Sequence, residues 1–143
     1  MKYIFAKTAR STTTIESKMN NNKLAQFASQ KYLNLESYRR DGQGVRTPLW
    51  FAEDNGTLYF YTVAHSYKVK RIGSNPRVRV VPCDMRGVVK GEWVDATARR
   101  LNEAESLQAN ELLNRKYGWQ KRILNFLAKI RGHERAAFAI QLD

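Results

Sequence analysis

The sequence predicts a mainly β protein of the α+β class, an antiparallel β-barrel with helices on its outside. Three observations lead to this fold class. Short segments of aromatic and β-branched residues recur along the chain, and turn residues separate them. Only a few segments show the spacing of an amphipathic helix. Most of the strand segments are joined by short turns, which connect antiparallel neighbours.

Length and composition indicate a single globular domain. The chain has 143 residues, of which 43% are hydrophobic and 27% charged, values typical of a folded domain. It contains no run of 18 apolar residues, which excludes a helix that spans a membrane. The single cysteine, Cys83, cannot form an intramolecular disulfide and favours a cytoplasmic location.

The N-terminal segment is expected to differ from the rest. Residues 1–19 are predicted to form a flexible arm, and residues 20–143 the folded domain. The apolar part of the arm, Tyr3–Ala6, is too short for a secretory signal. Residues 20–31 then show the pattern of a short amphipathic helix behind an Asn-rich cap.

Three strands are predicted next, in hairpin order. Tyr32–Tyr38 alternates between apolar and polar residues, as a half-buried strand does. Asp41-Gly42 is a hairpin turn signal, and Val45–Ala52 is the second strand. The turn at residues 53–56 leads into the third strand, Thr57–Val63.

A short basic helix is predicted after the third strand. Ser66 can cap its start, and Gly73 and Asn75-Pro76 end it. A strand end that runs into a helix start with mobile ammonium groups suits a bound phosphate. A surface helix whose cations are merely solvated explains the pattern equally well. The cations of this helix are Lys68, Lys70 and Arg71.

The remaining elements close the barrel. Two further strands are joined by a Gly-containing loop, and two helices precede the last strand, the second of them with one apolar and one basic face. The predicted elements are strands 77–84 and Glu92–Leu101, the helix from Asn102 to about Tyr117, the helix Trp119–Ile130, ended by Gly132, and the strand Arg135–Leu142.

The charge predicts an anionic partner. The formal net charge is +12, which suits nucleic acid, a membrane surface, or a phosphorylated or polycarboxylated ligand. Nucleic acid is disfavoured because the cations are spread over several elements and no nucleic-acid motif is present. A membrane partner is not expected, since core packing is the better use of the apolar face of Trp119–Ile130.

The residues offer little catalytic chemistry of their own. His65 and His133 lie far apart with no accompanying cluster, so no metal site is expected. The acids are scattered, and no nucleophile or nucleotide-binding motif is present. If the protein is an enzyme, a bound cofactor is expected to carry the reactive group.

One strand adds to the anion site. In Val45–Phe51, three residues share one face of the strand and three the other. The proline indicates an edge or a ligand-facing position, and the arginine can fork onto a phosphate, although a solvated arginine is equally consistent. The first face carries Arg46, Pro48 and Trp50, and the second carries Thr47, Leu49 and Phe51.

Several motifs, in order, resemble the pyridoxamine 5′-phosphate oxidase-like split β-barrel superfamily. The resemblance covers about residues 23–142. The segments SYKVKRIGSNPRVRVVPCDMRG and RKYGWQKR are similar to the PPOX-class subfamily that depends on coenzyme F420. The motifs are Arg46–Phe51, Tyr61-Thr62, Tyr67-Lys68 and Asn75–Val78.

The resemblance implies a homodimer of split barrels with FMN or the deazaflavin F420 bound at the interface. It implies that Arg46, Thr62 and Lys68 hold the cofactor phosphate, with Tyr61 beside them. Tyr67 stands where the oxidase has an arginine, a loss that Lys70 or Arg71 can replace. The residues implied to flank the ring are Thr47, Pro48, Leu49 and Trp50.

The expected function is therefore an oxidoreductase that transfers hydride between F420 or FMN and a small organic substrate. Pyridoxamine-phosphate oxidase activity itself is not expected, because the C-terminal substrate contacts of that enzyme have no clear match here. The positive charge favours the deazaflavin, whose tail carries a phosphate and several carboxylates. A cofactor carrier without turnover is the alternative, and a nucleic-acid-binding protein is a more distant one.

Overall fold

The computed structural model describes residues 22–118 and 134–143, and in them seven strands form one curled antiparallel sheet. The strand order is β2-β1-β5-β6-β7-β4-β3, so the mainly β prediction is confirmed. The strands are β1 (Tyr32–Tyr38), β2 (Gly44–Trp50), β3 (Ala52–Asp54), β4 (Thr57–Val63), β5 (Arg77–Cys83), β6 (Val94–Arg100) and β7 (Arg135–Leu142), and the helices are α1 (Tyr67–Ser74) and α2 (Glu103–Tyr117).

The largest hydrophobic cluster lies on one face of the sheet. Along β4, Leu58, Phe60 and Thr62 are buried while the residues between them are partly exposed, as the period of a strand requires. Phe60 faces Phe138 of β7 in the ladder, and their rings stack 5.2 Å apart. Burying each such ring stabilises the fold by about 1.5–3 kcal/mol.

Most predicted elements are confirmed. The bounds of β1, β4 and β7 are those predicted, and α2 begins with a capping box in which Asn102 and Glu105 bond each other's backbone N–H groups. β6 begins at Val94, two residues later than predicted. No described helix is long and apolar enough to cross a membrane.

Two predictions fall partly or wholly on residues that the structure does not describe. Of the helix predicted at 20–31, residues 22–25 are helical, and turns follow. The arm 1–19 and the helix Trp119–Ile130, with the Gly132 that ends it, lie outside the described residues.

The prediction of one continuous strand over Val45–Ala52 is wrong, and so is the three-strand hairpin series built on it. The strand is interrupted at the fully buried Phe51. β2, before it, pairs with β1, and the short β3, after it, pairs with β4. The Phe51 carbonyl accepts hydrogen bonds from the Tyr117 hydroxyl and the Lys116 ammonium instead of a strand neighbour. Side chains of α2, distant in sequence, thus fix the point at which the strand changes partner.

The ammonium group of Lys116 is partly buried at this interruption of the strand. Its Nζ lies 2.9 Å from the Phe51 carbonyl oxygen and 3.7 Å from the centre of the Phe51 ring. Burial lowers the pKa of Lys116 to about 8, although the charge of Glu53 acts in the opposite direction. Desolvation therefore outweighs the favourable contacts of the ammonium group.

We expect this lysine to make stability depend on pH. Between its folded pKa of about 8 and its higher unfolded value, the unfolded chain binds more protons, so the free energy of unfolding rises as pH rises. Lys116→Met should flatten this rise in urea titrations between these two pKa values. Lys90→Met, at an exposed lysine, is the control. A slope equal to that of the wild type in Lys116→Met would contradict the assignment.

Candidate functional site

A large cleft opens at the split in the barrel. It has a volume of about 1320 Å³, enough for a large organic ligand. One wall is the β1–β2 hairpin with Val45 and Thr47 of β2, and the other is the end of β4 and helix α1. β2 lies at one edge of the sheet and β4 lies beside the other edge strand, so the cleft occupies the gap where the sheet does not close.

The cleft is strongly basic. No acidic residue is among those that line it in the described part of the chain. Such a field attracts an anion and raises its local concentration. The lining cations are Arg39, Arg40, Lys68, Lys70 and Arg71.

Lys68, which lines the cleft, is brought together with Thr62 at the end of β4. The Lys68 ammonium donates a hydrogen bond of 2.9 Å to the Thr62 hydroxyl, which lies on the buried face of β4. Burial lowers the pKa of Lys68, and the nearby positive charge of Arg71 lowers it further. A bound anion would raise the pKa of Lys68 again, because it would supply the missing counter-charge.

Ser66 is the residue whose role sequence reasoning missed. It occupies the cap position of α1 as predicted, but its side chain makes no capping hydrogen bond. Its Oγ is buried and has no hydrogen-bond partner among the described residues. An unpaired buried hydroxyl is costly, so a ligand oxygen in the cleft fits this position. The available signal was a hydroxyl two residues before Lys68.

The other cations of the cleft have different anchors. Arg71 donates from Nε to the buried Ser37 hydroxyl at 2.7 Å, and the Lys70 ammonium lies 5.5 Å from the centre of the Tyr67 ring. Arg39 and Arg40 come from the β1–β2 hairpin tip. Sequence reasoning used that hairpin only as a turn, although its paired arginines were visible.

Arg46 is not brought to the cleft. Its neighbour Thr47 lines the cleft, whereas Arg46 takes the other face of β2 and donates from Nε to Glu36 at 2.8 Å. Arg79 also pairs with Glu36, and the two guanidinium groups lie 4.6 and 5.0 Å from the centre of the Trp93 ring. The phosphate role of Arg46 stays a prediction.

Glu36 is the centre of this second charged cluster. It is buried and accepts hydrogen bonds from Arg46, Arg79 and the Tyr38 hydroxyl. Burial alone would raise the pKa of Glu36, but the hydrogen bonds from Arg46, Arg79 and Tyr38 outweigh it and keep the pKa below its ordinary value. Glycine at position 44 leaves the space that Glu36 fills, since a Cβ there would lie 2.8 Å from the Glu36 Cδ.

The residues predicted to flank the cofactor ring lie in different parts of the fold. Thr47 lines the cleft, and Leu49 is buried in the core. Pro48 is exposed on the other face of β2, close to the loop glycine at position 87. Ring contacts by Pro48 and Leu49 stay predictions.

Trp50 and Tyr61 pack near helix α2. The Trp50 ring lies 4.5 Å from that of Tyr32 and 4.7 Å from that of Tyr117. The Tyr61 hydroxyl donates to the Ser106 carbonyl of α2. Neither Trp50 nor Tyr61 lines the cleft, and their contacts with a cofactor also stay predictions.

Comparison with known families decides what kind of protein this is. The sequence model of the family described as pyridoxamine 5′-phosphate oxidase matches residues 20–142. The chain belongs to this family. The expected superfamily resemblance is thereby confirmed, and the described strands form the barrel half expected of it. Among curated proteins, no relative matches.

Solved structures of the same fold carry several different names. The heme storage protein of Vibrio cholerae is 15% identical with a TM-score of 0.60, and the match covers 90% of this chain and 88% of that one. A FAD-binding protein from Mesorhizobium loti is 18% identical with a TM-score of 0.56, covering 88% and 87%. A protein named F420 reductase is 17% identical with a TM-score of 0.52, covering 83% and 91%. At these identities the likeness shows the fold of this oxidase family alone.

Proposed function

We propose that the cleft binds the phosphate of a flavin-type cofactor, and that the protein transfers hydride between this cofactor and a small organic substrate. One observation carries the proposal. Ser66, whose buried hydroxyl is unpaired among the described residues, lines the same cleft as the partly buried Lys68, and none of the described residues that line this cleft is acidic. A phosphate oxygen suits both groups, since charge-assisted hydrogen bonds are strong in such surroundings.

The residues of the chain have binding and orienting roles in this proposal. Lys68, Ser66 and Thr62 hold the phosphate, and Lys70 and Arg71 add positive charge beside it. When bound, the cofactor supplies the hydride chemistry through its ring, so the protein needs no acid–base pair for that step. Membership of the oxidase family and the names of two structural neighbours, a FAD-binding protein and an F420 reductase, support a flavin-type cofactor.

The cleft favours F420 over FMN as the cofactor. Beyond the proposed phosphate position, Arg39 and Arg40 add two further cations at the hairpin tip. FMN offers its phosphate alone, whereas the tail of F420 adds carboxylates that can pair with these arginines. A second copy of the chain, as the resemblance implies, would close the open side of the cleft.

Parallel titration of the protein with FMN and F420 tests this function. We expect saturable binding of at least one cofactor, detected as quenching of the fluorescence of that cofactor. We also expect F420 to bind with a lower Kd than FMN. Turnover of a dye acceptor by the reduced cofactor then distinguishes an enzyme from a carrier. Absence of binding by both cofactors would rule out the proposal, and binding without turnover would leave only the carrier.

A further inference from the structure

Tyr67 is the most exposed large apolar side chain of the cleft. It is the first residue of α1, it lines the cleft between Ser66 and Lys68, and 78% of its surface is exposed. The Lys70 ammonium lies 5.5 Å from its ring centre, a distance at which a cation attracts the face of an aromatic ring. An aromatic ring held in this way at a cleft of this size is available to a flat ligand.

Trp50, the aromatic residue that the family resemblance places beside the ring, does not line this cleft. Trp50 is held between Tyr32 and Tyr117, away from the cleft. Tyr38 does line the cleft, but its hydroxyl is fixed by a hydrogen bond of 2.9 Å to Glu36. Of the described aromatic residues that line the cleft, Tyr67 therefore has the greatest free surface.

We propose that Tyr67 stacks on the ring system of the bound cofactor and thereby selects ligands by their aromatic part. The inference rests on the proposed function, since it uses the phosphate position at Ser66 and Lys68 as the anchor. The adjacent residues Tyr67 and Lys68 then recognise different parts of the cofactor. Lys68 recognises the phosphate, and Tyr67 recognises the ring that is tethered to it.

Riboflavin separates these two roles, because it has the ring of FMN but no phosphate. Tyr67→Ala should weaken the binding of FMN and riboflavin alike, by about tenfold in Kd, as expected for losing one aromatic stacking contact. Lys68→Ala should weaken FMN far more than riboflavin. Tyr67→Phe should restore both affinities and the quenching of flavin fluorescence, because it retains the ring.

Controls make each outcome decisive. Leu107→Ala removes another highly exposed apolar side chain, 68% exposed on α2 and outside the cleft, and should change neither affinity. Unchanged riboflavin binding in Tyr67→Ala, with an intact wild-type affinity, would overturn the stacking role alone. Failure of the wild type to bind FMN, riboflavin and F420 would instead overturn the proposed function on which the role rests.

Discussion

Lys68→Ala is expected to weaken the binding of FMN or F420 by about 1–3 kcal/mol, or roughly 5- to 150-fold in Kd. The lysine is partly buried and donates to Thr62, and none of the described residues lining the cleft is acidic. Its charge is thus free to pair with the phosphate, and truncation removes one charge-assisted hydrogen bond from the proposed site. Fluorescence titration of the variant and the wild type measures the change.

A pH series gives the same site a second test. Because burial and Arg71 lower the pKa of Lys68, the wild type should lose affinity as pH rises through that lowered pKa. Lys68→Ala should bind weakly at every pH and lack this transition. Lys70→Ala removes a cation of the same cleft that contacts Tyr67 instead of Thr62, and we expect a smaller loss. Equal affinity of Lys68→Ala and the wild type for both cofactors would refute the phosphate site.

Local sequence patterns were sufficient for most of the sheet. β1, β4 and β7 have the predicted bounds because alternation, β-branched residues and turn signals all act within a few residues of one another. The capping box of α2 is also local, since Asn102 and Glu105 are three residues apart. The family resemblance assigned Lys68 and Thr62 to one site, and the structure brings their side chains together because the end of β4 leads directly into the helix that carries the lysine.

What sequence reasoning missed depends on contacts between distant residues. The strand break at Phe51 is set by Lys116 and Tyr117, which are 65 and 66 residues away. Ser66 matched the local signal of a cap, and only the folded structure shows its hydroxyl unpaired. Propensity describes a neighbourhood in sequence, whereas these features arise when the sheet curls and brings α2 against it.

The position of Arg46 also could not be predicted from local sequence. Alternation along β2 correctly separated Arg46 from Thr47, but it could not say which face would meet the cleft. The strand pairing answers this, because Glu36 of β1 stands opposite both Arg46 of β2 and Arg79 of β5. A row of one carboxylate between two guanidinium groups is the consequence of that register.

Glu36→Gln is expected to lower the free energy of unfolding by roughly 2–3 kcal/mol at neutral pH. Removing one partner of a buried ion pair typically costs about 3–5 kcal/mol, and the partial exposure of both arginines reduces that cost. Glutamine keeps the shape of the side chain but leaves Arg46 and Arg79 facing a neutral amide that also presents its own donors. Urea unfolding followed by circular dichroism measures the difference.

The pH dependence of this variant distinguishes lost charge pairing from lost packing. The pKa of Glu36 is lowered in the fold, so its contribution is present above the unfolded value and disappears as pH falls through the folded value. The difference in the free energy of unfolding between Glu36→Gln and the wild type should therefore disappear in acid. Gly44→Ala, which crowds the same carboxylate with a Cβ 2.8 Å from Glu36 Cδ, should destabilise the wild type more than the glutamine variant, because the carboxylate is held more firmly by its donors. If the difference in the free energy of unfolding persists unchanged in acid, Glu36 stabilises the fold by the shape of its side chain and not by its charge.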